Sequence, residues 1–217
     1  MIRGIVFDLD GTLWDSVDLL ANAWVETLKV IGYQVTKDQI KPLIGLNGRE
    51  ITRRIAGDSA IPKFLQHMNL FDEYVITHFN EAPLFNNTLE VLKELRKRKI
   101  KLGIATSTPR RRLEKILDYY SLRELFDVSV GGDEVLTGKP DPSIYLKAFN
   151  QMNIDPKNGM IVGDTEYDII PAKKIGAIAV LVLHDNKQIN EKPDYIIREL
   201  NEIIKIVDEL NKTNTLK

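Results

Sequence analysis

The sequence predicts an α/β protein: a doubly wound parallel sheet, interrupted after its first strand by a small all-helical segment. Three observations predict it. Short apolar runs recur along the chain without polar alternation, which marks parallel strands covered on both faces. From about residue 88 onward, helical patterns of period 3.6 separate those runs, the alternation of a β-α-β sheet. Between about residues 16 and 80 no strand pattern is found, and the apolar residues recur at helical spacing instead.

The elements follow in order. GIVFD (4–8) is the first strand. Val17, Leu20, Trp24, Leu28 and Ile31 then share one helix face, and further helical patterns run at 47–56 and 61–80 between Gly32, Pro42, Gly45, Gly57 and Pro62. This insertion is long enough for a small cap, so the expected division is a Rossmann-like core of residues 1–15 and 82–217 and a helical cap of residues 16–81. TLEVLKELRKRK places Leu89, Leu92 and Leu95 on one side of a helix, and KLGIAT (101–106) is the second strand. RRLEKILDYY follows Pro109, a helix start, and leads to a third strand, DVSVG (127–131). DPSIYLKAFNQM opens with Asp141 as N-cap and Pro142 at the first helical position. MIVGD (160–164) and the β-branched run AIAVLVL (177–183) are the fourth and fifth strands, and YII (195–197) is a weaker sixth. Leu200, Ile203, Ile204, Val207 and Leu210 form the stripe of a last helix, and the polar tail NKTNTLK is expected to fray.

Composition narrows the function classes. The chain of 217 residues is 43% hydrophobic and 28% charged, with 30 Lys and Arg against 31 Asp and Glu. A nucleic-acid binder shows a basic excess or stripe. The densest basic cluster here, Arg110-Arg111-Arg112, is short and reads as a solvated helix start. The absence of cysteine excludes disulfides, thiolate zinc sites and a cysteine nucleophile. The N-terminal apolar run meets Asp8 too soon for a signal peptide, and no run approaches the ~18 residues of a membrane span. The expectation is a soluble cytoplasmic protein, monomer or homodimer, with neither nucleic acid nor membrane as partner. His67, His78 and His184 show no spacing with each other or with acids, and the tyrosines and phenylalanines read as core.

In open parallel sheets, ligands bind at the carboxyl ends of the strands. The residues found there are Asp8 with Asp10, Thr106 with Ser107, Lys139 in the stretch after the third strand, and Asp164 with Asp168 four residues on. Converging carboxylates repel unless cations offset them. Lys139 supplies one charge, and the oxygen-only remainder suits a hard divalent ion such as Mg²⁺. A magnesium ion beside a lysine and a hydroxyl is an arrangement for a phosphoryl group, with Thr106 donating to one of its oxygens.

DLDGT, Thr106, Lys139 in GKPDP, and GDTEYD stand in an order and spacing that resembles the four motifs of the haloacid dehalogenase-like hydrolase superfamily. The resemblance covers nearly the whole chain: the insertion looks like that family's small helical cap, IGLNGREI resembles a recurring cap segment, and the cap type with GKPDP resembles the phosphoglycolate phosphatase-like branch. It implies Asp8 as nucleophile, forming an aspartyl-phosphate, and Asp10 as acid and then base. It implies Thr106 and Ser107 as phosphate contacts and Lys139 as the cation orienting Asp8. Magnesium would be held by the carboxylates of Asp8 and Asp164, by the Asp10 backbone carbonyl, and by Asp168 directly or through water.

Asp10 favours a phosphate ester over a halide as substrate, because a departing alkoxide needs an acid and a halide does not. The expected activity is therefore magnesium-dependent hydrolysis of a small, phosphoglycolate-like metabolite. Two alternatives keep the same residues: a phosphosugar mutase of the β-phosphoglucomutase type, and a slow phosphate-sensing or partner-binding module. Within the cap, Arg49 is the candidate for an anionic substrate group, with Arg53 and Arg54 as competitors. Trp14 sits at a hinge, where it could shape the pocket or simply pack. Two departures from the family pattern are local: Asn86-Asn87 replaces a Pro-Gly turn, and Ser107 stands where many relatives have Asn.

Overall fold

A computed structural model describes residues 1–184 and 189–213. Six parallel strands form one sheet: β1 (Gly4–Phe7), β2 (Lys101–Ala105), β3 (Val128–Val130), β4 (Gly159–Gly163), β5 (Ile178–Val182) and β6 (Tyr195–Ile197). Their order is β3-β2-β1-β4-β5-β6, so the sheet starts in the middle and winds outward both ways. β1 lies between β2, where Phe7 pairs Ile104, and β4, where Phe7 pairs Val162. Whatever follows Phe7 therefore emerges between the ends of two other strands.

Nine helices accompany the strands in the described residues: α1 (Val17–Val30), α2 (Lys37–Ile40), α3 (Gly48–Ala56), α4 (Phe64–Thr77), α5 (Thr88–Lys97), α6 (Arg110–Tyr119), α7 (Ser143–Met152), α8 (Glu166–Ile175) and α9 (Glu202–Thr213). Strand alternation splits the core in two. Ile5, Phe7, Ile104 and Val162 join one layer with Leu92 and Leu95 of α5, Leu113 of α6 and Ile203 of α9. Val6, Ala105, Ile161 and Leu181 join the other with Tyr145 and Phe149 of α7 and Ile169 of α8. Each large side chain so buried contributes roughly 1.5–3 kcal/mol. Because both faces are covered, the strands read as continuous apolar runs.

α1 to α4 all lie in the expected insertion. Trp24 of α1 meets His67 and Phe71 of α4, with ring centroids 4.7 and 5.2 Å away. The pattern at 61–80 contains α4 flanked by short 3₁₀ turns at Asp58–Lys63 and Phe79–Glu81, since Pro62 has no N–H to give an α-helical ladder. The two chain segments leading to and from these helices run side by side: Trp14 bridges Leu84, and Asp15 N–H donates to Pro83 O at 2.9 Å. Trp14 is fully buried there, its indole N–H facing Ala82 O and, at 3.1 Å, Tyr120 Oη. It packs the junction and is not among the residues that line the cavity at the sheet edge.

Two element boundaries differ in detail. α7 begins at Ser143, one residue later than expected, and Asp141 still caps it by accepting from Ser143 N–H at 2.9 Å. Asn87 adopts φ +64° before α5, a left-handed conformation that asparagine tolerates, and so makes the turn expected of a Pro-Gly pair. Among the described residues no helix is long and apolar enough to cross a membrane. The end of the polar tail, 214–217, lies outside the described residues.

Candidate active site

The chain delivers its polar residues to one edge of the sheet. Asp8 leaves β1 almost fully buried. Lys139 Nζ donates to Asp8 Oδ1 at 2.7 Å and to Asp168 Oδ1 at 2.8 Å. Asp168 also accepts from Tyr145 Oη at 2.6 Å, from Thr165 Oγ1 at 2.8 Å and from Thr165 N–H at 3.2 Å. Four donors thus engage both oxygens of Asp168, and its position next to Lys139 is fixed. Burial alone would raise the Asp168 pKa, but the Lys139 charge and these hydrogen bonds hold it below the usual carboxylate range. Burial likewise works to strip the proton from Lys139, and the charges of Asp168 and Asp8 outweigh it, so the ammonium is retained.

Asp8 is different. Burial pushes its carboxyl well above the ordinary range, Asp168, Asp10 and Asp164 push the same way, and Lys139 offsets only part of this. Its Oδ2 is buried without a hydrogen-bond partner. A second cation at that oxygen would satisfy both demands. Asp8, Asp164 and Asp168 can each present an oxygen within 4.8 Å of the others, a hard donor set suited to a divalent ion. The residues therefore fit a metal, with Asp8 and Asp164 better placed to give it an oxygen than Asp168. Gly11 keeps the loop after Asp10 against Asp164: it has φ +77°, and a Cβ there would lie 2.5 Å from Asp164 Oδ2.

Asp10 belongs to a separate group. Its Oδ1 accepts from Ser16 Oγ at 2.9 Å, and its Oδ2 accepts from Thr106 Oγ1 at 3.2 Å and Thr108 Oγ1 at 2.8 Å. Thr106 was expected to face a phosphoryl group; here its hydroxyl binds Asp10 and accepts from Thr108 N–H at 3.1 Å. Ser107 turns its hydroxyl to Gly45 O in the insertion, at 2.7 Å, which leaves its backbone for a ligand.

Asp8, Asp10, Thr106, Ser107 and Lys139 line a cavity of about 700 Å³ between the sheet edge and the helices of the insertion. Arg49 lines it too, exposed, with its guanidinium 5.4 Å above the Phe64 ring. Arg53 and Arg54 also reach it, but both are paired with Glu50. None of the three histidines lines this cavity: His67 is buried in the insertion, His78 stacks on Tyr74 and His184 stacks on Phe85.

The basic cluster needs correcting. Only Arg111 is a solvated residue of a helix start. Arg110 pairs with Glu134, and Arg112 is buried against Asp72 of α4 because the insertion packs over α6. Sequence reasoning also missed Ser16, Thr108, Tyr145 and Thr165. Thr165, three residues before Asp168, carried a signal as a helix cap facing its own acid.

The Haloacid dehalogenase-like hydrolase family matches residues 5–182. The chain is 30% identical over 210 residues to a phosphoglycolate phosphatase from Aquifex aeolicus, covering 95% of this chain and 97% of that one. It is 27% identical to the pyrophosphatase PpaX of Bacillus cereus, over 98% of this chain and 99% of the other. Among solved structures, a predicted phosphoglycolate phosphatase from Haemophilus somnus superposes with a TM-score of 0.85 at 26% identity, covering 95% and 98% of the two chains. With the same sheet and the motif residues gathered at its edge, the chain belongs to the haloacid dehalogenase-like hydrolase family, as a phosphatase of the branch that resembles phosphoglycolate phosphatases.

Proposed function

We propose that this is a cytoplasmic, magnesium-dependent phosphatase that hydrolyses a small phosphomonoester, of the phosphoglycolate kind, through an aspartyl-phosphate on Asp8. The observation that carries the reading is the state of Asp8: one oxygen is held by Lys139, and the other is buried with no partner at the floor of a cavity. A carboxylate so placed is oriented and under-solvated, as a nucleophile should be.

Asp8 attacks phosphorus in line, the phosphorus–ester oxygen bond breaks, and Asp10 gives its proton to the departing alkoxide. Asp10 then takes a proton from water as that water attacks phosphorus, releasing inorganic phosphate and restoring Asp8. Lys139 holds Asp8 in place throughout, and Asp168 with Tyr145 holds Lys139. Asp8 and Asp164, with the Asp10 backbone carbonyl, would hold magnesium, which would supply positive charge against the phosphoryl oxygens. Thr106 and the Ser107 backbone face the same group once Thr106 turns from Asp10. Arg49 supports an anionic substrate, since it borders the cavity without a carboxylate partner in the described residues.

In this reading residues 16–81 act as a cap that excludes bulk water, hinged where Trp14–Ser16 runs beside Pro83. The test is release of inorganic phosphate from phosphoglycolate and a panel of metabolite esters with Mg²⁺, compared with Asp8→Asn. Phosphate release lost in the variant supports hydrolysis at Asp8. An isomerised sugar phosphate as the product would overturn it in favour of a mutase, and best turnover on pyrophosphate would overturn the monoester preference.

A further inference from the structure

We propose that Asp72, Arg112 and Thr108 form a positioning relay that ties the seat of the cap to the orientation of Asp10. The proposal rests on the reading of Asp10 as acid and base given above.

Arg112 is a charged side chain on α6, 7% exposed, and its only carboxylate partner in the described residues is Asp72 on α4 of the cap. From the same guanidinium, Nη2 donates to Thr108 Oγ1 at 3.2 Å. Thr108 Oγ1 has one hydrogen, and it lies 2.8 Å from Asp10 Oδ2. The carboxylate can only accept when ionised, so the order of donation is fixed: Arg112 to Thr108, and Thr108 to Asp10. A one-way chain of this kind strengthens along its length in a buried setting.

The guanidinium is planar and rigid, so its two ends cannot move independently. A shift of α4 relative to α6 that displaces Asp72 must tilt the whole fork and lengthen its bond to Thr108. The position is costly to maintain: Arg112 Nε is buried without a partner, and Phe71 of α4, 4.9 Å from Cζ, gives only a ring face in return. A core arginine satisfied mainly by cap residues is thus sensitive to where the cap sits. Thr108 lies just before α6 and Arg112 in its first turn, and the turn at Pro109 brings the Thr108 hydroxyl within reach of the guanidinium. The cap's seat is fixed elsewhere by Ser107 and Gly45, so the relay reads a defined contact and not a loose one.

The chemical consequence is specific. A mispositioned Asp10 handicaps departure of an alkoxide, which needs the proton, far more than departure of p-nitrophenoxide, which does not. The test measures kcat/KM with Mg²⁺ on phosphoglycolate and on p-nitrophenyl phosphate, for the parent, Thr108→Val, Asp72→Asn and Arg112→Lys. The relay predicts a loss of about tenfold or more on the alkyl ester and less than about threefold on the aryl ester for each variant, about 1.4 kcal/mol at the tenfold level. In an Asp10→Asn background, Thr108→Val should cost nothing further on either ester. Equal losses on both esters, or losses that persist in the Asp10→Asn background, would overturn the relay and make Arg112 a substrate contact or a packing residue. Asp72→Asn, on the partly exposed face of α4, keeps the test valid should Thr108→Val fold poorly. Parent turnover lost in Asp8→Asn decides the phosphatase reading separately from the ester ratio, and a parent inert on both esters removes the reading and the relay together.

Discussion

His67 should make the stability of this protein depend on pH between about 6.5 and 4. Its ring lies fully buried between Trp24 and Phe71, with Nε2 2.8 Å from Thr27 Oγ1. The single Thr27 hydrogen is already directed at Ala23 O, 2.6 Å away, so Thr27 must accept from His67 and the proton sits on Nε2. Nδ1 is then a bare lone pair, buried without a donor. Protonating it would place an unpaired charge in an apolar pocket, and burial accordingly lowers the His67 pKa from 6.5 to about 4. Because the folded value lies below the unfolded one, the unfolded chain binds more protons between them, and stability falls with falling pH. The contribution is complete above pH 6.5 and is lost as the pH descends to about 4. At 1.36 kcal/mol per unit, the shift amounts to about 3 kcal/mol. Urea unfolding of parent and His67→Gln from pH 7.5 to 4.5 isolates it, since the glutamine amide can still donate to Thr27 but does not titrate. The parent curve should fall more steeply, by about 2 kcal/mol at pH 5. Parallel curves would refute the argument and place a proton-accepting partner on Nδ1.

Three further outcomes follow from the site. Tyr145→Phe removes the 2.6 Å hydrogen bond to Asp168, worth about 1.5–3 kcal/mol for a charged acceptor, and should lower kcat by roughly ten- to a hundredfold with little change in KM; an unchanged kcat would show that Lys139 alone fixes Asp168. Arg49→Ala should raise KM about tenfold, ~1.4 kcal/mol, for a phosphate ester that carries a carboxylate, and equal kinetics would remove Arg49 from the substrate pocket. Gly11→Ala forces a Cβ into Asp164 at φ +77°, so Mg²⁺ titration followed by protein fluorescence should show affinity weakened about tenfold or more, and an unaltered titration would separate Asp164 from the metal.

What the sequence made legible and what it hid divide along a physical line. Strands β1, β4 and β5 were readable because they are buried on both faces and leave unbroken apolar runs. Asp8, Lys139 and Asp164 were readable because carboxylates and a lysine at strand ends or in a glycine-rich loop have few structural uses. Tyr145 was assigned to the core, and it is in the core. Its ring packs with Phe149 and Ile169 while its hydroxyl serves Asp168, and a single sequence records only the first property. Arg112 misled for a related reason. Three arginines at a helix start look solvated, and the apposition of α4 that buries the third is a contact across 40 residues.

The hidden residues explain how two carboxylates two positions apart can do different work. β1 is flanked by β4 on one side and β2 on the other, and its two aspartates are held by those different neighbours. Asp8 is bound to Lys139, and through it to Asp168 and Tyr145, on elements that flank β4. Asp10 is bound to Thr106 and Thr108, which follow β2, and to Ser16 at the entrance to the cap. The carboxylate gripped by a cation is held in place with its other oxygen unpartnered. The one held by three neutral hydroxyls keeps its orientation without a paired charge. The spacing in DLDGT therefore matters less for what the aspartates share than for the opposite strands to which it hands them, one held through a cation and the other through hydroxyls.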